Sequence, residues 1–277
     1  MLNRRAFLGS AAASAAASAG KRSKLRIGVT DWNLHLAGKP EALALAASIG
    51  FEGVEVSLGR QLVNGRLPLD DRDLQDRYLA EAASHGVAIA GVCLDILHVH
   101  CGKNDPLSFQ WVAAAIPIAA RLGAKVILLP FFGKCALDSQ PGRDYFIDGV
   151  REHTRDAEKA QVTLALENTL STADNLRMME RSKSPAVKMY FDVGNLHSNG
   201  HDLKAEFDLV RAEHIAQIHL KDNPHYLGEG KIDFPWAMGR IMDLGFQGWA
   251  NLETNSPSKD IPADMRRNLA YVRKLAI

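Results

Sequence analysis

"QIHLKDN", residues 217–223, decides how the chain is read. It starts as a strand, with Ile218 and Leu220 on one face and Gln217, His219 and Lys221 on the other, and then runs into Asp222 and Asn223. A strand leaving a core meets water, so a polar end is ordinary. An imidazole, an amine and a carboxylate together raise a sharper question: do other strands end the same way?

Short apolar runs of this kind recur at 25–30, 53–57, 87–94, 125–130, 162–167, 187–192, 215–221 and 248–253. They are β-branched-rich and nearly all apolar, as parallel strands buried on both faces must be. Amphipathic stretches separate them, at 40–50, 74–86, 111–123, 144–160, 171–183, 203–213, 234–244 and 262–275. Three stop at a glycine, Gly50, Gly86 and Gly123. Eight strand–helix units predict an α/β fold, a (β/α)8 TIM barrel over residues 20–277. An open doubly wound sheet fits less well: it has fewer strands, and no glycine-rich phosphate loop follows the first one here.

Composition agrees with one large core: 47% of the 277 residues are hydrophobic and 23% charged. A net charge of +1 gives no basic surplus for nucleic acid. Mean hydropathy is −0.13, and no apolar run is long enough to span a membrane. Residues 1–19 read as a twin-arginine signal peptide: Arg4-Arg5, then Phe7 and Leu8, an alanine-rich run, and the small-x-small pattern Ala17-Ser18-Ala19. The expectation is export to the periplasm, with no membrane attachment after cleavage. Cys93, Cys101 and Cys135 show no metal spacing and are odd in number, so they read as small buried hydrophobes rather than a disulfide framework.

Four strands end in candidate ligands. The fifth ends at Glu167, the sixth at Asp192, the seventh carries His219, and the eighth ends at Glu253. In a barrel all parallel strands end at one rim, where loops build the site. Any one of these residues alone reads as a helix cap or a solvated side chain. Three acids converging without a cation would repel one another and take up protons. The mixed oxygen and nitrogen set suits Mn²⁺, Mg²⁺ or Co²⁺, and Zn²⁺ less well.

With these strand ends, "GFEGVEVS" (50–57), "IHLKDN" (218–223) and "LGEGKIDFPWAM" (227–238), the chain resembles the xylose-isomerase-like TIM barrel superfamily, and within it the sugar phosphate isomerase/epimerase group. The resemblance implies one divalent metal, Mn²⁺ before the others, held by Glu167, Asp192, His219 and Glu253. It also implies that Glu167 and Glu253 are the catalytic acid and base. The implied activity is sugar isomerisation or epimerisation: a proton leaves the carbon beside a carbonyl, and a metal-stabilised enediolate forms.

Other residues are candidate contacts to a sugar or keto-sugar substrate. Trp32 follows the first strand and Glu55 ends in the second. His98 and His100 follow the third, and Asn168, Asn195, Lys221 and His225 flank the ligands; Asp222 reads as a loop-orienting residue. Ketohexose epimerases of the group often carry a histidine where Asn195 stands, a further acid soon after the first glutamate, and an arginine in the neighbourhood of His225. Two alternatives therefore stay open: a metal-dependent lyase or hydratase on keto-glycosides, and a non-catalytic exported sugar-binding barrel. The endonuclease branch needs extra histidines that the chain lacks. A homo-oligomer is also left open.

Overall fold

The computed structural model describes residues 25–276; the signal-peptide reading of residues 1–19 lies outside them. Eight parallel strands close into a barrel in chain order: β1 (Arg26–Thr30), β2 (Gly53–Ser57), β3 (Ala88–Cys93), β4 (Val126–Pro130), β5 (Thr163–Glu167), β6 (Val187–Asp192), β7 (Ile215–Leu220) and β8 (Trp249–Leu252). β8 returns to β1, pairing Asn251 with Gly28. The helices outside are α1 (Glu41–Ile49), α2 (Arg72–His85), α3 (Leu107–Arg121), α4 (Gln140–Val150), α5 (Thr154–Ala160), α6 (Thr172–Ser182), α7 (Val193–Ser198), α8 (Leu203–Leu209), α9 (Phe234–Asp243) and α10 (Ile261–Leu275). The (β/α)8 barrel expected from the repeat is the observed fold.

Period-two alternation gives the barrel two cores. Val54, Val56, Leu164, Leu166, Phe191, Ile218, Leu220 and Leu252 point outward and pack with the helices in the main hydrophobic cluster. A second, small cluster of Cys93, Val126, Leu128, Ala165 and Tyr190 fills the barrel interior. Further along the same inward faces the residues turn polar, to Glu55, Gln217, His219 and Asn251, all fully or almost fully buried. Two glycines make room for this polar floor. A Cβ on Gly28 would run into the Asn251 side chain, and one on Gly91 would sit 3.0 Å from Gln217 Oε1.

Two helical stretches differ from the sequence expectation. The pattern at 144–160 is not one helix: α4 ends at Val150, residues Arg151–His153 form a 3-10 turn, and α5 follows. The break falls beside Gly149, a weak helix former. The stretch 203–213 likewise divides into α8 and a 3-10 turn at Ala212–His214.

The cysteine expectation is corrected. Cys101 and Cys135 form a disulfide, with Cα atoms 4.7 Å apart and a sequence separation of 34. Barrel closure places the loops after β3 and β4 side by side at the same rim, which spacing alone could not reveal. Cys93 is free and buried.

Candidate metal centre and active-site pocket

Each candidate ligand sits where a strand gives way to a loop. Glu167 is the last residue of β5, Asp192 the last of β6, and Glu253 follows β8 directly; His219 is one residue from the end of β7. One ligand atom from each lies within 4.8 Å of the corresponding atoms of the others. His219 Nδ1 is 2.9 Å from Glu167 Oε1, 3.3 Å from Glu253 Oε2 and 3.6 Å from Asp192 Oδ2.

Asp192 is both a helix cap and a candidate ligand. Its Oδ1 accepts from the Asn195 backbone N–H at 2.8 Å, capping α7. Its Oδ2 makes no correctly angled hydrogen bond, although the Lys221 ammonium is 2.7 Å away. The contact is therefore an ion pair.

Charge crowding shapes the electrostatics. Burial pushes the Glu167 carboxyl up to about 7; the Glu253 charge adds to the rise, and His219 and Lys221 oppose it. Burial pulls His219 down, but the charges of Glu253, Glu167 and Glu55 outweigh it and hold the imidazole protonated well above its ordinary range. Burial likewise pulls Lys221 down and is outweighed by Asp192, Glu253 and Glu167. The acids thus depend on two protein cations for their balance. Three carboxylates and one imidazole within bonding range of a common point fit a divalent cation of the hard or borderline class.

The cluster opens into a cavity of about 420 Å³ lined by Trp32, Arg60, Cys93, Asp95, His98, Leu128, Pro130, Phe132, Glu167, Asn195, Lys221 and Glu253. Trp32 Nε1 donates to Glu253 Oε1 at 3.1 Å, and Asn195 Nδ2 donates to Glu167 Oε1 at 3.0 Å. Each glutamate is therefore held by its own donor. The glutamates differ in access: the Glu167 side chain is 4% exposed and that of Glu253 20%. His98 stacks on Phe132 across the opposite wall, their ring centres 6.3 Å apart.

Of the expected substrate contacts, Trp32, His98, Asn195 and Lys221 line this cavity. Four do not, and each has a physical reason. Glu55 is fully buried behind His219, bonded to its Nε2 at 2.8 Å. Asn168 is buried and paired with Asn175 at 2.8 Å, holding the turn into α6. His100 is tied to Asp105 at 2.7 Å and its ring faces Trp111. His225 is exposed on the loop after β7. Asp222 accepts from the Gly228 and Gly230 backbones and so orders that loop.

Sequence reasoning passed over four residues. Tyr190 donates to Glu55 at 2.8 Å beneath the four candidate ligands; lying two residues before Asp192, it was recoverable from period-two alternation. Arg60 and Phe132 sit in irregular loops and Asp95 opens a short 3-10 turn (Asp95–His98), where no periodicity points inward.

A closed barrel with this ligand set at its carboxyl-terminal rim defines a class. The sequence pattern of the xylose isomerase-like TIM barrel family matches residues 43–275, and the chain belongs to that family. Among curated relatives it is similar to L-ribulose-5-phosphate 3-epimerase UlaE of Salmonella typhi, 28% identical over 244 residues, covering 80% of this chain and 84% of the relative. The Shigella flexneri protein of the same name matches to the same extent. Among solved structures, apo 3-keto-D-glucoside 4-epimerase from E. coli superposes with a TM-score of 0.69 at 17% identity, covering 91% of this chain and 100% of that one. D-psicose 3-epimerase with D-tagatose from Clostridium cellulolyticum H10 gives 0.73 at 13% identity, covering 91% and 99%. At those identities the structural likeness is one of fold.

Proposed function

We propose that the chain is a divalent-metal-dependent sugar isomerase or epimerase that moves a proton on carbon beside a carbonyl. The observation that carries this is the convergence of the Glu167, Asp192, His219 and Glu253 ligand atoms within 4.8 Å at the edge of one cavity. The epimerase relatives support it. Glu167, Asp192, His219 and Glu253 would hold the cation, with Mn²⁺ favoured over Mg²⁺, Co²⁺ and Zn²⁺. When bound, it supplies Lewis acidity for the negative charge that develops on a carbonyl oxygen.

The chain's own groups supply the rest. Glu167 and Glu253 remove and return the proton, and Asn195 and Trp32 hold each carboxylate in one orientation. Lys221 donates hydrogen bonds to substrate oxygens and offsets negative charge. The Trp32, Phe132 and His98 rings give an apolar wall for a sugar face.

A second reading, a lyase or hydratase on keto-glycosides, is favoured by Asp95. Burial raises this cavity-lining carboxyl, although a 2.7 Å hydrogen bond from Ser57 opposes the rise. A glutamate would take the proton beside the carbonyl, the β carbon–oxygen bond would break, and Asp95 would protonate the departing oxygen. Export by the twin-arginine route, with residues 1–19 removed, completes the proposal and places the mature domain at 20–277 in the periplasm.

The test is product NMR in D₂O with Mn²⁺-loaded protein and a panel of ketoses, ketose phosphates and keto-glycosides. Deuterium entering beside the carbonyl with retention of all carbon–oxygen bonds supports the isomerase or epimerase. Loss of a β-substituent supports the lyase. Binding without exchange from any substrate sinks both and leaves a sugar-binding barrel.

A further inference from the structure

Glu55 stands apart from the four ligands. It lies on β2, across the barrel from His219 on β7, and both side chains are 0% exposed. His219 Nε2 is 2.8 Å from Glu55 Oε2. Tyr190 donates to the same oxygen at 2.8 Å, and Asn251 Nδ2 is 3.5 Å away. The Tyr190 ring also packs on the imidazole, with centres 4.3 Å apart. Glu55 Oε1 has no hydrogen-bond partner.

A buried carboxylate with one unpartnered oxygen costs several kcal/mol of desolvation in the absence of compensation. Imidazole can carry its proton on either nitrogen, and only the bare nitrogen binds a metal. Here one nitrogen faces Glu55, and the other, Nδ1, faces Glu167, Asp192 and Glu253.

We propose that Glu55 is a positioning residue that pins the proton of His219 on Nε2 and so presents Nδ1 to the metal. This rests on the metal centre proposed above. Glu55 touches neither cation nor substrate; it acts through the imidazole, fixing its tautomer and its rotation. Tyr190 in turn fixes Glu55. Outer partners of this kind change metal affinity by roughly 10–100-fold when removed.

The experiment is calorimetric titration of chelator-stripped full-length protein with Mn²⁺, beside visible absorption of the Co²⁺-loaded forms. Glu55→Leu keeps the volume and removes the acceptor. It is expected to weaken Mn²⁺ binding by about 10–100-fold and to alter the Co²⁺ bands. Glu55→Gln keeps an acceptor oxygen at the same reach and is expected to restore most of the affinity and the wild-type bands. A merely structural role for Glu55 would move neither readout while circular dichroism and melting stay native.

Glu55→Leu binding Mn²⁺ as tightly as wild type overturns the inference. So does Glu55→Gln losing as much as Glu55→Leu, since charge and not the acceptor would then matter. Where Glu55→Leu fails to fold, Glu55→Asp replaces it: the shorter side chain withdraws the acceptor, so Asp should bind more weakly than Gln, and the reverse order overturns the inference. Wild-type protein that takes up no Mn²⁺ overturns the metal centre and this inference together, whereas an unaffected Glu55→Leu overturns the inference alone.

Discussion

Lys221 Nζ lies 2.7 Å from Asp192 Oδ2 and also pairs with Glu253. An ammonium here neutralises the carboxylates that a divalent cation would neutralise. Gly194 on α7 packs against the stem of Lys221, so the chain has limited room to move sideways. On the proposed reading, a bound cation would take over this neutralisation and leave the Lys221 donors for substrate.

Lys221→Met tests this division of labour. The variant keeps the stem and loses the competing charge. Metal analysis should show Mn²⁺ retained as well as in wild type or better. Turnover should fall by about 10²–10³, the loss expected when one preorganised donor to a developing oxyanion is removed. Loss of the metal with the lysine would show instead that Lys221 holds the acids together.

Glu167→Gln and Glu253→Gln keep size and a ligating oxygen but remove the base. Both sit at a rim, so the barrel should stay folded, with metal weakened and not abolished. Deuterium exchange into substrate should fall by about 10²–10⁴ in each. The two should fail differently, because Glu167 is almost fully enclosed and Glu253 reaches solvent. Wild-type exchange in both variants would end the two-carboxylate mechanism.

The Cys101–Cys135 bridge joins two rim loops that carry opposing pocket residues: His98 three residues before one cysteine, and Phe132 three before the other. Cys101→Ser is expected to cost on the order of 3–4 kcal/mol of stability from restored freedom of the unfolded chain. It should also raise KM more than it lowers kcat, since the loosened wall carries neither Glu167 nor Glu253. Mass spectrometry after alkylation, with and without reductant, establishes the bridge directly. Three alkylated cysteines in denatured, non-reduced protein, where the bridge would leave only Cys93 free, would remove the premise.

Why the barrel was legible and parts of the site were not comes down to periodicity. Strands such as "IAQIHLK" (215–221) and "GWANLE" (248–253) carry their own alternation, so His219 and Glu253 could be placed on inward faces with Gln217 and Asn251 from the sequence. Glu55 sits in the same alternation, but inward means two things in a barrel. An acid facing in can reach the cavity from a strand end, as Glu253 does, or lie beneath it from mid-strand, as Glu55 does; depth depends on barrel stagger, which one strand does not encode. Arg60, Asp95 and Phe132 lie in loops whose path is set by tertiary contacts. The disulfide depended on the adjacency of β3 and β4, visible only once the barrel is closed.

Asp264 gives a prediction that is independent of the metal. It lies in the first turn of α10 and accepts from Tyr226 at 2.7 Å, Ser256 at 2.6 Å, and the Ser258 backbone and hydroxyl at 3.0 and 2.7 Å. It thereby ties the loops after β7 and β8, which flank His219 and Glu253, to the last helix. Desolvation raises this carboxyl, but the hydrogen bonds from Ser256, Ser258 and Tyr226 outweigh it and hold it at about 2. An unfolded aspartate titrates near about 3.9. The folded value is the lower one, so the stabilisation is fully present above the unfolded value and is lost as pH falls from about 4 through 2. Asp264→Asn should therefore be less stable than wild type near neutral pH, by about 1–3 kcal/mol for hydrogen bonds to a charged group. The gap should close as the acid range is entered. Urea unfolding of both proteins from pH 7 to pH 3, with the metal stripped so that ligand protonation is common to both, reads this directly. A gap that stays constant down to pH 3 or widens there would show that Asp264 contributes through shape and not through its charge.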